Sequence, residues 1–440
     1  MHGIAVADSI RSQARPTQQA ILRPQLRGDD AMDAADFDTT LERLLSRRAR
    51  IVGPAVWAAA QPDPRPVISF AGGLPDVPSL PAAELERAVR TVLERERKEA
   101  LEYGGTYGPY PLRLAVAERS TRLEGVPVGI DQVIISSGSA HAIGNVCEVL
   151  LDEGDVVLAE SPNFPGSLRT FRSFGAELVA IPLDADGLQV SAVEEALRRL
   201  DAEGRRPKLL YTIPNHQNPA GCTMSLERRQ RLVALAKEWG FIILEDDAYG
   251  ELWFDAPPPP SLFALSGGSH VVKVNSFSKI IATGLRLGWT LGPASFVARM
   301  AAIRYDMGTS PFLGRVVAEM IRSGDLDRHV ERLRGIYRRK LERMEEALAR
   351  YCAPYCRWER PRGGFFLWLA LREGLDAREV AIEASERGVL VGAGAAFFAD
   401  GRATNHLRIA FSYVDYEDIE EGVHRLAEAM EAVAARARNG

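Results

Sequence analysis

Cysteine is scarce: the 440-residue chain holds four, at Cys147, Cys222, Cys352 and Cys356. A chain of this length can bury a large core without disulfide or metal staples, which excludes a disulfide scaffold. Cys352 and Cys356 stand four apart near aromatic residues, with no second Cys or His pair beside them. The seven histidines show no metal-ligand spacing. Buried thiols are expected rather than a zinc site, and no metal is expected elsewhere. Long apolar runs are also missing. No stretch approaches the roughly eighteen residues that would suggest a membrane span. The opening residues, MHGIAVADSIRSQARP, lack the continuous apolar region of a secretory signal. These absences point to the cytoplasm. Basic excess is absent too: 54 Lys and Arg face 59 Asp and Glu, for a net charge of −5. A nucleic-acid partner is therefore not expected. Hydrophobic residues at 46% and charged residues at 26% are ordinary for a globular protein and exclude a disordered or collagen-like chain.

The length suggests two or three domains at roughly 150 residues each. Residues 1–37 are polar, rich in Arg, Gln and Asp, and without a sustained period, so they read as a flexible N-terminal arm. A helix is predicted from Thr39 or Thr40, with Leu41, Leu44 and Leu45 on one face and Pro54 at its end. A second helix places Leu85, Val89, Val92 and Leu93 on one side. Between residues 130 and 292 short apolar runs recur: VIIS (133–136), VVLAE (156–160), LLYTI (209–213), FIILE (241–245), VVKV (271–274) and LGWTLG (287–292). Helix-like stretches separate most of them. Strands apolar at nearly every position suit a sheet buried on both faces, which implies parallel strands covered by helices. The fold class is therefore α/β: a large domain at 75–305 with a mostly parallel sheet. A smaller α+β domain combines 38–74 with 306–437. There, Leu326, Val330, Leu333, Tyr337, Leu341, Met344 and Leu348 share one helical face. FFLWLAL (365–371) and LRIAFS (407–412) read as strands, and Ile419, Val423, Leu426, Met430 and Val433 stripe a closing helix.

Open α/β sheets build ligand sites at the C-terminal ends of their strands, and four clusters fall there. Ser276 to Lys279, SFSK, follows VVKV. A lysine just past a buried strand can lose solvation and keep the free amine that attacks a carbonyl; the alternative is a solvated loop lysine. Glu245 to Tyr249, EDDAY, follows FIIL, and its acids can bind a metal, cap a helix or pair with a cationic ring. Pro214 to Gly221, PNHQNPAG, is turn chemistry with two amide side chains. Ser136 to Gly144, SSGSAHAIG, puts a Gly/Ser turn before a helix start, where free N–H groups and the helix dipole favour a phosphate. It is equally compatible with a tight turn, and it matches neither the dinucleotide nor the Walker pattern.

Taken jointly and in this order, the clusters resemble the fold-type-I pyridoxal-phosphate enzymes, specifically the class I/II aminotransferases. The nearest look is to the group with 2-aminoadipate and kynurenine aminotransferases and the C-terminal domains of aminotransferase-like regulators. The resemblance runs from about residue 68 to 430, through YGGTYG (103–108), SSGS (136–139), NHQNPAG (215–221), EDDAY (245–249), NSFSK (275–279), GLRLGW (284–289) and HLRIAFS (406–412). It implies pyridoxal 5'-phosphate as cofactor, attached to Lys279, which would also shuttle the proton. Asp246, rather than Asp247, would pair with the ring nitrogen and keep the ring an electron sink. Asn218 and Tyr249 would bond the phenolic oxygen. Gly138, Ser139 and Ala140 would seat the phosphate, with Ser276, Ser278 and the forked donors of Arg286 completing the cradle. Phe164 would stack on the ring, where related enzymes often carry tyrosine. Tyr103 would reach the phosphate of a neighbouring subunit, which implies a homodimer with shared sites. Arg408 would grip the substrate carboxylate, with Gly73 allowing close approach. Gly363 and Gly364 have either a similar role or that of a turn. One departure is Thr283-Gly284, where related sequences commonly have Pro-Gly.

The activity so implied is a ping-pong aldimine/ketimine transamination from an L-amino acid to a 2-oxo acid, with 2-oxoglutarate the default acceptor by resemblance. Apolar groups in 41–60, 70–80 and 306–315, such as Trp57, Phe312 and Leu313, point to a hydrophobic or aromatic donor. A lyase, a cyclase or hydroxylase, or a decarboxylase would share the same cofactor residues. His141 and His216, beside the cofactor motifs, are either extra acid–base groups or packing residues. A non-enzymatic regulator would need a DNA-binding module of roughly 60–70 residues ahead of this domain. About 37 residues precede the first helix, without a helix-turn-helix pattern.

Overall fold

The computed structural model describes residues 37–52 and 67–439. The chain divides at Gly53 and Pro54 into two units. In the first, residues 37–44 are helical, 45–46 break the helix, and Arg47–Val52 form another. The single helix anticipated from the leucine spacing is thus two. Ser46 Oγ accepts from Ala49 N at 3.2 Å, the geometry of a helix N-cap, and it starts the second helix. Residues 1–36, Pro54 and Trp57 lie outside the described residues.

Fourteen strands are described in the second unit: β1 (Ile68–Ser69), β2 (Val133–Ser136), β3 (Val156–Ser161), β4 (Glu177–Asp184), β5 (Gly187–Leu188), β6 (Pro207–Thr212), β7 (Ile242–Asp246), β8 (Val271–Ser276), β9 (Gly288–Leu291), β10 (Cys356–Arg357), β11 (Phe366–Leu371), β12 (Val389–Leu390), β13 (Gly392–Ala393) and β14 (His406–Ala410). The main sheet has the order β2-β9-β8-β7-β6-β3-β4-β5. Neighbours from β8 through β7, β6 and β3 to β4 pair in parallel. β9 runs antiparallel to both β2 and β8. Its apolar run, LGWTLG, looks like that of its neighbours, but residues 277–287 carry only a 3-10 turn. A connection that short turns the chain back, because a parallel crossover needs a dozen or more residues and usually a helix.

Every residue of β2, β8 and β9 is buried. Each fully buried Val, Ile or Leu contributes about 1.5–3 kcal/mol relative to an exposed one, so the sheet needs little help from its edges. β4 is not among the runs picked out, although LVAIPL within it is continuously apolar; only Ile181 of its eight residues is buried, and Pro182 suits an outer strand. Helices flank the sheet. Because β2, β3, β6, β7 and β8 point the same way, their C-terminal ends share one edge.

The rest of this unit is built around an antiparallel sheet, β10-β11-β14-β13, with β1 paired to β12. The long helix Asp325–Tyr351 buries the predicted stripe from Leu326 to Leu348, and Ile419–Asn439 buries Ile419, Val423, Leu426, Met430 and Val433. Leu93 departs from its predicted face and is exposed, while Val92 is buried. Cys352 and Cys356 are buried free thiols. No helix among the described residues is long and apolar enough to cross a membrane.

Candidate active site

β7 ends at Asp246, and β8 leads through a short turn to Lys279. Lys279 Nζ donates to the carbonyl of Gly73 at 2.7 Å and lies 5.9 Å from the centre of the Phe365 ring. Burial first, then the nearby Arg408 cation, lower its pKa to about 8; Asp246 opposes them. At pH values between that figure and the ordinary lysine range, this amine is free where an exposed one is charged. Asp246 is buried. Its Oδ2 accepts from the Tyr211 hydroxyl at 2.7 Å, while its Oδ1 has no partner. Burial raises the carboxyl pKa to about 6, against the Tyr211 hydrogen bond, which lowers it. Asp247 turns to other partners. It accepts from Asn215 Nδ2 at 2.6 Å and pairs with Lys273 Nζ at 2.7 Å.

From β14, the buried guanidinium of Arg408 donates to Asn218 Oδ1 at 3.0 Å and to the carbonyl of Ala71. Its Nε has no partner. The group sits 4.5 Å from the Phe366 ring centre and 4.7 Å from that of Phe397, near enough for cation–π attraction. Burial lowers its pKa to about 10, still well above neutrality. Tyr249 packs edge-on against Phe365 and Phe366. Burial pushes its hydroxyl up, and a hydrogen bond with Asn218 works against that. Gly73 must be glycine, since a Cβ there would lie 2.5 Å from Phe366 Cζ.

A second group gathers at the start of the helix Ser139–Leu150. Gly138 occupies its N-cap at φ +85°, with no side-chain cap for the first amides. Arg286 bonds the Ser137 carbonyl at 3.4 Å, and its NH2 would lie 3.0 Å from a Cβ on Gly138. Ser276 Oγ, accepting from Ser278 N at 3.1 Å, comes from the adjoining end of β8. Ser139 is half-buried and Ala140 exposed at the helix start. Uncapped helix amides beside an arginine make a seat for an anion.

The structure thus brings together Lys279, Asp246, Asn218, Tyr249, Arg408 and Gly73, and sets Gly138, Ser139, Ala140, Ser276, Ser278 and Arg286 around the helix start. Phe164 is half-buried after β3. Tyr103 is 85% exposed on the surface of its own chain. Gly363 and Gly364 make room for His216: a Cβ on Gly363 would lie 2.5 Å from its ring Cε1, and one on Gly364 2.7 Å from its Cβ. His216 is buried, and burial takes its pKa down to about 4, so it is neutral packing at physiological pH. His141 Nδ1 accepts from Ser137 N at 3.1 Å and braces the anion seat.

Tyr211, Ser167, Lys273 and Glu160 were not singled out from the sequence. Ser167 donates to the Tyr211 hydroxyl at 2.8 Å, behind Asp246. Lys273 joins Asp247 to Glu124, 2.6 Å away. Glu160 accepts from Ile213 N and Gln217 Nε2, both at 3.1 Å, and braces the loop that carries Asn218. The signal for two of these was present. A tyrosine in LLYTI and a lysine in VVKV stand inside strands buried on both faces, where a polar end must find a partner.

A free amine, an unpaired carboxylate oxygen and an anion seat at one sheet edge can hold a flat, phosphorylated aromatic aldehyde. That defines a pyridoxal-phosphate site on a fold-type-I scaffold. The family model for aminotransferase class I and II matches residues 65–426. Aromatic-amino-acid aminotransferase 1 of Thermococcus litoralis is 36% identical over 83% of this chain and 88% of its own length. Among solved structures, kynurenine aminotransferase of Pyrococcus horikoshii, in complex with PMP, gives a TM-score of 0.83 at 33% identity over 90% of this chain and 99% of that one. LysN, the α-aminoadipate aminotransferase of Thermus thermophilus, complexed with N-(5'-phosphopyridoxyl)-L-leucine, gives 0.82 at 34% identity, with the same coverage. The chain belongs to the class I and II aminotransferases. It is a transferase that uses pyridoxal 5'-phosphate to move amino groups between amino and 2-oxo acids.

Proposed function

We propose that the chain takes the amino group from a hydrophobic or aromatic L-amino acid and passes it to a 2-oxo acid, with Lys279, Asp246 and Arg408 at the centre of the work. The observation that carries this reading is the orphaned Asp246 Oδ1, buried without a partner within electrostatic reach of the Lys279 amine. A protonated ring nitrogen satisfies that oxygen, so the residues present fit the cofactor. Lys279 would hold it covalently, Gly138, Ser139, Ala140, Ser276, Ser278 and Arg286 would hold its phosphate, Phe164 its ring face, and Asn218 and Tyr249 its phenolic oxygen.

The bound cofactor supplies a carbonyl for the substrate amine and a ring that draws electrons from Cα. The chain supplies the rest. Arg408 keeps its charge at neutral pH and offers Nε, which has no partner, to the substrate carboxylate. A fixed carboxylate orients the Cα–H bond and lowers the entropic cost of reaction. Lys279 Nζ, its pKa lowered by burial to about 8, reaches its free-base form at lower pH than an exposed lysine and moves the proton at Cα. The Phe366 and Phe397 rings beside Arg408 exclude water and favour an apolar donor, in keeping with the aromatic substrates named for the Thermococcus and Pyrococcus relatives.

A homodimer belongs to this reading. Tyr103 projects outward at 85% exposure, with Leu101, Tyr110, Tyr305 and Met307 also exposed on the neighbouring segments 99–110 and 304–308. Apolar surface of this kind suits a subunit contact. The proposed division is a cofactor domain at 75–305 and a small domain of 38–74 with 306–437; the main sheet falls wholly in the first, β10 to β14 in the second, and β1 pairs with β12. The cytoplasm is the compartment proposed, and cysteines held outside any disulfide suit a reducing one. The test is a panel of amino donors added singly to the holoenzyme, with conversion of the cofactor to its amine form read by absorbance. Fast conversion by phenylalanine, tyrosine, kynurenine or leucine supports the reading; conversion only by short or acidic donors refutes the proposed specificity.

A further inference from the structure

We propose that Asp76 and Lys340 form a buried latch that positions Gly73 at the reaction centre and thereby sets how tightly the substrate carboxylate is held. The inference rests on the roles given above to Lys279, Gly73 and Arg408, and extends them to two residues that touch neither substrate nor cofactor.

The strap Ala71–Asp76 leaves β1 and crosses the site before the helix Ala82–Glu96. It begins Ala71-Gly72-Gly73, a run with little conformational preference of its own, so its path must be imposed from outside. Besides the Lys279 bond to Gly73 and local bonding with Ser79, its ties go to the C-terminal part of the chain. Ala410 N donates to the carbonyl of Phe70 at 2.7 Å, and Arg408 donates to that of Ala71. Ser412 Oγ donates to the carbonyl of Leu74 at 2.7 Å. Asp76 N donates to the Tyr337 hydroxyl at 3.2 Å, and Asp76 Oδ1 receives the ammonium of Lys340. Gly73 lies between these ties, with its carbonyl 2.7 Å from Lys279 Nζ.

Lys340 projects from the long helix Asp325–Tyr351 and is only 4% exposed, while Asp76 is 5% exposed. All three ammonium protons are used: on Asp76, on the Ser412 carbonyl at 3.1 Å and on the Val414 carbonyl at 2.6 Å. Ser412 and Val414 follow directly from β14, the strand that bears Arg408. One buried cation therefore fixes two things to each other: the strap that carries Gly73 and the segment that carries Arg408. Replacing the pair with apolar groups would cost a protein little stability, so the value of keeping a charge pair here lies in registry. A displacement of roughly 1 Å in a positioning group can cost about a hundredfold in rate or affinity, which is the sensitivity the latch controls.

The experiment compares holoenzyme variants Lys340→Met, Asp76→Asn and the double variant, with Arg408→Gln as control. Three quantities are read: melting temperature, the Kd of 3-phenylpropanoate as a non-reacting carboxylate, and hydrogen exchange at amides 71–74. Each single variant is expected to lower the melting temperature, to weaken the carboxylate about tenfold and to speed exchange in the strap by a similar factor. The double variant is expected to recover the melting temperature, because no charge is left buried alone, while the weakened Kd and faster exchange persist. Carboxylate affinity that recovers together with the melting temperature overturns the latch, as does a fall in melting temperature with Kd and exchange unchanged. Arg408→Gln separates the two levels. If it leaves the Kd unaltered, the assignment of the carboxylate site itself fails; if it weakens binding and the latch variants do not, only the latch fails.

Discussion

The Tyr211 hydroxyl donates to Asp246 Oδ2 at 2.7 Å and accepts from Ser167 Oγ at 2.8 Å, so one oxygen of the buried carboxylate is held from behind while the other faces the site. A hydrogen bond to the charged form of an acid lowers its pKa. Here it offsets part of the burial that lifts Asp246 to about 6. Tyr211→Phe removes that support, and the carboxyl pKa rises further. Cofactor binding to the apoprotein should weaken as pH falls through about 6 in the parent chain, because the ring nitrogen then meets a neutral acid. In Tyr211→Phe the same loss should set in at higher pH. Titrating cofactor affinity against pH in both proteins checks this, and superimposable profiles would count against it.

Lys279→Ala should abolish the visible aldimine absorbance of the holoenzyme, since it removes the amine that would form the aldimine. In the parent apoprotein, the rate of cofactor attachment should rise with pH through about 8, where Lys279 loses its proton. The neighbouring Arg408 cation helps hold that value down, so Arg408→Gln should move the rise to higher pH, by the sign of the charge removed. Stopped-flow absorbance on apoprotein gives both profiles; a shift to lower pH in Arg408→Gln would contradict the electrostatic argument.

Lys273 stands in the middle of β8 between Glu124 at 2.6 Å and Asp247 at 2.7 Å, with all three side chains less than a tenth exposed. Lys273→Met leaves two carboxylates buried without their cation, a class of change that costs about 3–5 kcal/mol. The added negative field at Asp247 also raises Asp246, next to it in the chain, because like charges disfavour ionisation. Chemical denaturation should show the stability loss. Cofactor affinity at neutral pH should fall with it, whereas a variant as stable as the parent would show the triad to be dispensable.

How much of this was legible beforehand depends on the kind of signal. β2, β3, β6, β7, β8 and β9 announce themselves as apolar runs because both of their faces are covered, and the residues after five of those runs hold the chemistry. β4 was passed over although LVAIPL is continuously apolar; Pro182 argues against a central strand, and the strand lies toward the sheet edge with only Ile181 buried. The direction of β9 was hidden because burial reports how deep a strand lies, not which way it points. Tyr211 and Lys273 were passed over for a related reason: each sits inside a run read for its apolar neighbours, and its partner is far away in sequence. Asp76 and Lys340, separated by 264 positions, are the extreme case. No local pattern can pair them. The choice of Asp246 over Asp247 came from family likeness, and the structure adds a physical ground: the Lys273 and Asn215 side chains occupy Asp247, while Asp246 keeps one oxygen without a partner.

Tyr103 supplies the test of shared sites. At 85% exposure on its own chain it is open to contact from a second subunit. If it reaches the phosphate of a neighbouring chain, a site draws Lys279 from one subunit and Tyr103 from the other. Tyr103→Ala should then weaken cofactor affinity about tenfold by loss of one phosphate hydrogen bond, and Lys279→Ala should be inactive. Mixing the two variants after gentle dissociation produces heterodimers. In each heterodimer one site carries both substitutions, and the other carries neither. With random reassembly of equal amounts, about a quarter of all sites return to the parent composition. Activity at a cofactor concentration too low for Tyr103→Ala should therefore reappear on mixing. If Tyr103 served its own chain, every heterodimer site would still carry one of the two substitutions, and mixing would restore nothing.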